Sequence, residues 1–138
     1  MLKIKSYVKV NSIAEAYELN QKKTACVLGG MVWLKMGNRN ISTAIDLSGL
    51  GLAGIQETDE EFVIGCMTTL RELETDKRLN EYTQGAVRES VRHIVGVQFR
   101  NCATVGGSIW GRYGFSDVLT MFCLLYTSPS PRDKRQSR

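Results

Sequence analysis

Apolar and polar residues partly alternate over Leu2-Lys3-Ile4-Lys5-Ser6-Tyr7-Val8-Lys9. That two-residue period predicts a short edge strand. Ser12-Ile13-Ala14-Glu15 then has Ser and Glu at capping-box spacing, so a helix of about two turns is expected through Ala16 and Leu19. Thr24 to Leu28 and Thr43 to Leu47 are continuous apolar runs and read as buried strands, the first of them parallel to a neighbour. An acidic turn, Glu57 to Glu61, separates two short strands expected at Gly54–Glu57 and Phe62–Met67. Thr69-Leu70-Arg71-Glu72 is a second capping box. Ala86, Val87, Val91, Ile94 and Val95 recur at helical spacing, which predicts a longer helix from about Thr83. Ser116-Asp117 opens a last helix through Leu119 and Met121.

Two of these segments run into paired glycines: Ala25 to Leu28 into Gly29-Gly30, and Val97 to Val105 into Gly106-Gly107. Taken alone, the second pair reads as a hairpin turn or a bulge. Two strand-to-Gly-Gly units suggest instead a pair of loops whose consecutive N–H groups cradle phosphate oxygens, the first followed by a short helix or apolar loop up to Gly37. Neither is a dinucleotide fingerprint, because no G-x-G-x-x-G is present.

The formal charge is +4, but it is unevenly placed. Residues 1–122 carry 14 basic and 13 acidic groups, and Arg132, Lys134, Arg135 and Arg138 face only Asp133 beyond them. The basic balance therefore gives no ground for a nucleic-acid partner. No apolar run reaches membrane-span length, so no membrane role is expected. Both prolines lie in the polar, aperiodic end of the chain, and Cys123 to Asp133 (CLLYTSPSPRD) resembles the translation of a sequencing adapter. Residues 123–138 are accordingly expected to be a disordered, non-native tail, and the natural protein to run on past Phe122.

Four cysteines without CxxC spacing and one histidine exclude a Cys/His metal site. Cys26, Cys66 and Cys102 lie in apolar runs and are expected to act as small hydrophobes in a reducing, cytoplasmic setting. His93 has no Ser, Cys or Asp beside it at local spacing and reads as a residue near a helix C-terminus rather than an acid–base group.

VLGGMVWL (27–34), IDLSGL (45–50), IGCMTTLREL (64–73) and QFRNCATVGGS (98–108), with Asp117 thirteen residues after Thr104, follow one another in the order of a known family. The set resembles the FAD-binding subunit of molybdenum hydroxylases, the group of bacterial xanthine dehydrogenase and aerobic carbon monoxide dehydrogenase. The resemblance implies an α+β fold, the FAD-binding domain of the vanillyl-alcohol-oxidase/PCMH type. Residues 1–55 would form a first small subdomain and 56–122 the start of a second, incomplete one. It implies non-covalent FAD that passes electrons from iron–sulfur clusters to NAD, with the clusters and molybdopterin on partner subunits. Leu28, Gly29, Gly30, Met31 and Val32 would form the first phosphate loop. Thr104, Gly106, Gly107 and Ser108 would form the second, and Asp117 would accept hydrogen bonds from sugar or ribityl hydroxyls. No catalytic side chain is implied. Met31 and Val32 depart from the family's Thr and Asp or Asn, and Ser108 stands where Asn is commoner. Two other readings stand beside this one: a flavin-free interaction subunit of the same fold, and another FAD-dependent oxidoreductase.

Overall fold

The computed structural model describes residues 1–125. The first part of the chain builds a three-stranded sheet from β1 (Lys3–Lys9), β2 (Ala25–Leu28) and β3 (Asn40–Asp46). The strand order is β1-β3-β2, and both pairings are parallel. β3 takes the centre, with Ile41, Ala44 and Ile45 fully enclosed. β1 is an edge strand, as its alternating pattern predicts, and its lysines keep that edge soluble. Helix α1 (Ile13–Asn20) lies between β1 and β2 in the chain; Ser12 Oγ accepts its first-turn N–H from Glu15 at 3.1 Å. Val10, Ala16, Ala25 and Ile45 form one small core, and Leu28, Ile41 and Ala44 form another.

A 3₁₀ turn at Ser48–Leu50 leads to a hairpin of β4 (Ile55–Glu57) and β5 (Phe62–Ile64), antiparallel around the acidic tip. β5 stops three residues short of the expected Met67, because from Gly65 onward the chain pairs elsewhere: Gly65 N–H donates to Gly54 and Met67 N–H to Leu52. The rest is helical: α2 (Leu70–Thr75), α3 (Lys77–Tyr82), α4 (Ala86–Val91), α5 (Val97–Cys102), α6 (Val105–Trp110) and α7 (Asp117–Leu125). Both halves of the capping box at Thr69 and Glu72 form. Leu70, Leu73, Val87, Val91 and Val118 centre the helical core, and Val32 joins it from the first half of the chain. The fold is α+β.

One helix is added to the expected elements, and three local expectations are corrected. Helix α3 escaped the pattern because its only buried residue is Leu79; its signal was Asp76, whose carboxylate caps Leu79 N–H at 2.9 Å. The helix from Thr83 is short. Gly85 opens it with φ +82, and it ends at Val91, so Val95 leaves the apolar face and stands 75% exposed. Cys66 and Cys102 are exposed rather than buried, because the segments that carry them run along the surface of the site described below. α7 continues through Cys123–Leu125, where unbroken backbone hydrogen bonding and helix-favouring leucines extend it into the expected tail; the rest of that tail lies outside the described residues.

Val95 also has φ +50, a left-handed conformation for an exposed β-branched residue. Such a residue costs about 1–2 kcal/mol there. Val95→Asn is expected to raise stability by about 1 kcal/mol, read as a higher urea midpoint at unchanged slope. A lower midpoint would contradict the strain.

Candidate functional site

The two glycine pairs meet. β2 delivers the chain to Gly29-Gly30, which lies flat against residues 102–107. A Cβ on Gly30 would stand 1.7 Å from the carbonyl oxygen of Cys102. One on Gly29 would stand 2.7 Å from Thr104 Oγ1 and 3.5 Å from Gly107 Cα. Only glycine permits backbone to approach backbone this closely.

The second strip is held from behind by residues 66–70. Thr69 and Thr104 form an antiparallel bridge. Leu70 N–H donates to Ala103 at 2.9 Å, Val105 N–H to Thr68 at 2.9 Å, and Gly106 N–H to the Cys66 carbonyl at 2.8 Å. Thr104 Oγ1 accepts from Gly107 N–H at 3.2 Å and so caps α6. This corrects the expectation of a strand ending in a glycine loop. The pair sits inside α6, and helix α5 precedes it. Two glycines inside a helix are unfavourable by about 1 kcal/mol each. Gly106 is required by packing, because a Cβ there would meet the Cys66 carbonyl at 2.7 Å. The first-turn N–H groups of α6 are thus already bonded within the protein.

The first strip differs. Among the described residues, the N–H groups of Gly29, Gly30, Met31 and Val32 donate to no protein acceptor. Of the short helix or apolar loop expected after Gly30, a loop forms: Met31 has φ +58, and a 3₁₀ turn at Leu34–Met36 follows. The side chains that break the family pattern face away from this strip. Val32 is buried in the helical core, and Met31 packs on the cluster of Leu28, Ile41 and Ala44. What remains is four consecutive backbone donors with no acceptor among the described residues, the chemistry that the oxygens of a diphosphate require. The donor set fits the diphosphate of FAD through main chain alone.

The remaining expected site residues lie beside this junction or away from it. Leu28 is buried under the first strip. Ser108 donates its hydroxyl to the Thr104 carbonyl at 2.9 Å, and its own carbonyl accepts from Ser116 Oγ at 3.2 Å. Asp117 occupies the first turn of α7 and lines a groove of about 490 Å³ with Glu89, Ser90, His93 and Met121. No hydrogen bond joins Asp117 to either glycine strip among the described residues. His93 is exposed, and its Nε2 accepts from Arg92 Nε at 2.9 Å.

The sequence reading missed two features of the junction. One is an aromatic cluster: Trp33 packs on Phe99 (5.8 Å between ring centres), Tyr113 (6.0 Å) and Phe115 (5.5 Å). The ring content of Trp110 to Phe115 was its available signal. The other is Arg100, 6% exposed, which donates to Glu74 at 2.8 Å and to the Ile94 carbonyl at 3.2 Å. It ties α5 to α2 directly behind the second strip.

The family model of the FAD binding domain in molybdopterin dehydrogenase matches residues 2–136. No curated protein gives a significant match. Among solved structures the chain is similar to Cu,Mo-CO dehydrogenase in its cyanide-inactivated form, with 28% identity and a TM-score of 0.72 over 80% of this chain and 41% of that one. It is similar to CO dehydrogenase from Oligotropha carboxidovorans at 28% identity and a TM-score of 0.67, over 77% and 39% of the two chains. Quinoline 2-oxidoreductase from Pseudomonas putida 86 shares the fold at 22% identity and a TM-score of 0.64, over 75% and 38%. The chain spans about two-fifths of the length of these structures. Match and fold agree, and the chain belongs to the family of FAD-binding domains of molybdopterin dehydrogenases.

Proposed function

We propose that this chain is the FAD-binding, electron-transfer part of a molybdenum hydroxylase. In this reading electrons arrive from iron–sulfur clusters on one partner subunit and leave to NAD, while molybdopterin is held by another partner, all in the cytoplasm. The observation that carries the reading is the run of four N–H groups from Gly29 to Val32 that have no acceptor among the described residues, braced by the strip from Cys102 to Gly107. Bound FAD supplies the two-electron chemistry. Gly29 and Gly30 bind its diphosphate through backbone donors. Thr104, Gly106, Gly107 and Ser108 set the floor on which those donors are arranged, and Asp117 is the acceptor offered to a sugar or ribityl hydroxyl.

The flavin-free alternative took its force from Met31 and Val32. Their side chains are engaged in the two cores, so their identity leaves the backbone donors available. Amide NMR tests the reading. Adding FAD is expected to shift the N–H signals of Gly29, Gly30, Met31 and Val32 more than those of Gly106 and Gly107, which are bonded internally. FAD that shifts none of the four would sink it.

A further inference from the structure

We propose that the aromatic face of Trp33, Tyr113 and Phe115 receives the planar ring adjoining the diphosphate of the bound dinucleotide. The inference rests on the FAD reading above and adds to it the residues that hold a ring.

Trp33 directly follows Val32, the last donor of the cradle, so donor and ring are neighbours along the chain about 3.8 Å apart at Cα. The face is open: Trp33 is 43% exposed, Tyr113 40% and Phe115 63%. It is also preformed. Tyr113 and Phe115 stack at 5.3 Å with 21° between their planes, and Trp33 meets Phe115 edge-on. Half-buried Phe99 of α5 buttresses Trp33. Gly111 lets Tyr113 fold inward, since a Cβ there would stand 2.6 Å from the Tyr113 ring. Rings fixed in advance lose little freedom when a ligand ring packs on them. Aromatic faces of this kind accept any planar ring. FAD has two, adenine and isoalloxazine, and both are joined to the diphosphate through a sugar-like spacer. A ring bound here would cover apolar surface that now faces water.

The Trp110→Phe chain leaves Trp33 as its only tryptophan, because the protein has two. NMR spectra of this chain, titrated with FAD, ADP or FMN, are expected to show the Trp33 ring protons moving upfield together with the loop amides. Movement with ADP identifies adenine as the stacked ring, and movement with FMN identifies isoalloxazine. Trp33→Leu and Phe115→Ala are each expected to weaken FAD binding about tenfold, the size of one base–aromatic stack, while the loop amides still shift at saturation. If the amides shift with FAD but the Trp33 ring protons and both variants' affinities stay unchanged, the ring lies elsewhere and this inference falls while the FAD reading stands. If FAD moves neither, both fall.

Discussion

Gly30→Ala is expected to destabilise the chain by more than about 4 kcal/mol, a loss most domains cannot absorb. The new methyl group would overlap the Cys102 carbonyl, with its carbon 1.7 Å from the oxygen. Neither partner can yield cheaply. Gly30 stands two residues after the end of β2, and residues 102–107 are pinned to residues 66–70 by backbone hydrogen bonds at Ala103, Val105 and Gly106. Two companion variants grade the effect. Gly29→Ala meets a side-chain oxygen, Thr104 Oγ1, at 2.7 Å, which can rotate away at the cost of its cap on Gly107. That loss is about 1 kcal/mol. Gly114→Ala meets nothing within 4 Å and should fall within about 0.5 kcal/mol of the parent. Urea midpoints for the three should rank Gly30 far below Gly29, and Gly29 below Gly114. A Gly30→Ala chain as stable as the parent would show that the two strips do not touch.

Arg100→Leu is expected to cost about 1.5–3 kcal/mol, because it removes the buried partner of half-buried Glu74 and leaves that carboxylate with Arg71 alone, 2.9 Å away. The guanidinium holds Glu74 at 2.8 Å and the end of the α4–α5 connection through Ile94 at 3.2 Å. Burial by itself raises the Glu74 carboxyl, but hydrogen bonds and charge from Arg100 and Arg71 outweigh it and hold the group below its ordinary 4.5. A depressed carboxyl stabilises the fold above its unfolded value and loses that contribution as pH falls through the folded one. The parent should therefore lose stability below about pH 4.5. Protonated Glu74 also no longer needs its partner, so the gap between Arg100→Leu and the parent should narrow over the same range. A gap constant from pH 7 to pH 3 would mean that the pair contributes through packing alone.

The parts of this fold that are local in cause were legible in the sequence. Ser12 with Glu15 and Thr69 with Glu72 mark helix starts because cap and partner lie three residues apart. The acidic hairpin tip and the parallel pairing of β2 follow from equally short patterns. The sequence singles out both glycine pairs, and the structure brings them together, but the second lies inside a helix rather than in the expected loop. Nothing near Gly106 explains a helical glycine; the explanation is the Cys66 carbonyl, forty residues earlier. For the same reason Val97 to Cys102 read as extended chain. Their helix is fixed by Arg100 reaching Glu74 on α2, a contact that no local period reports. The polar-to-apolar change at Met31 and Val32 suggested a weakened site because a sequence does not show which way a side chain turns. Both turn inward, and the donors at that loop belong to the backbone, which every sequence carries.

The contact between Gly30 and Cys102 also has a consequence for the order in which the chain folds. It joins the end of β2 to the last third of the described residues and closes about half of the chain into one loop. Closing so long a loop is entropically expensive before its contacts are made. The capped helices and the hairpin need no such closure and can form ahead of it. The cradle then exists only once folding is nearly complete. A ligand that needs the cradle finds nothing to hold in the folding transition state, so its stabilisation would appear as slower unfolding, with the rate of folding left almost unchanged.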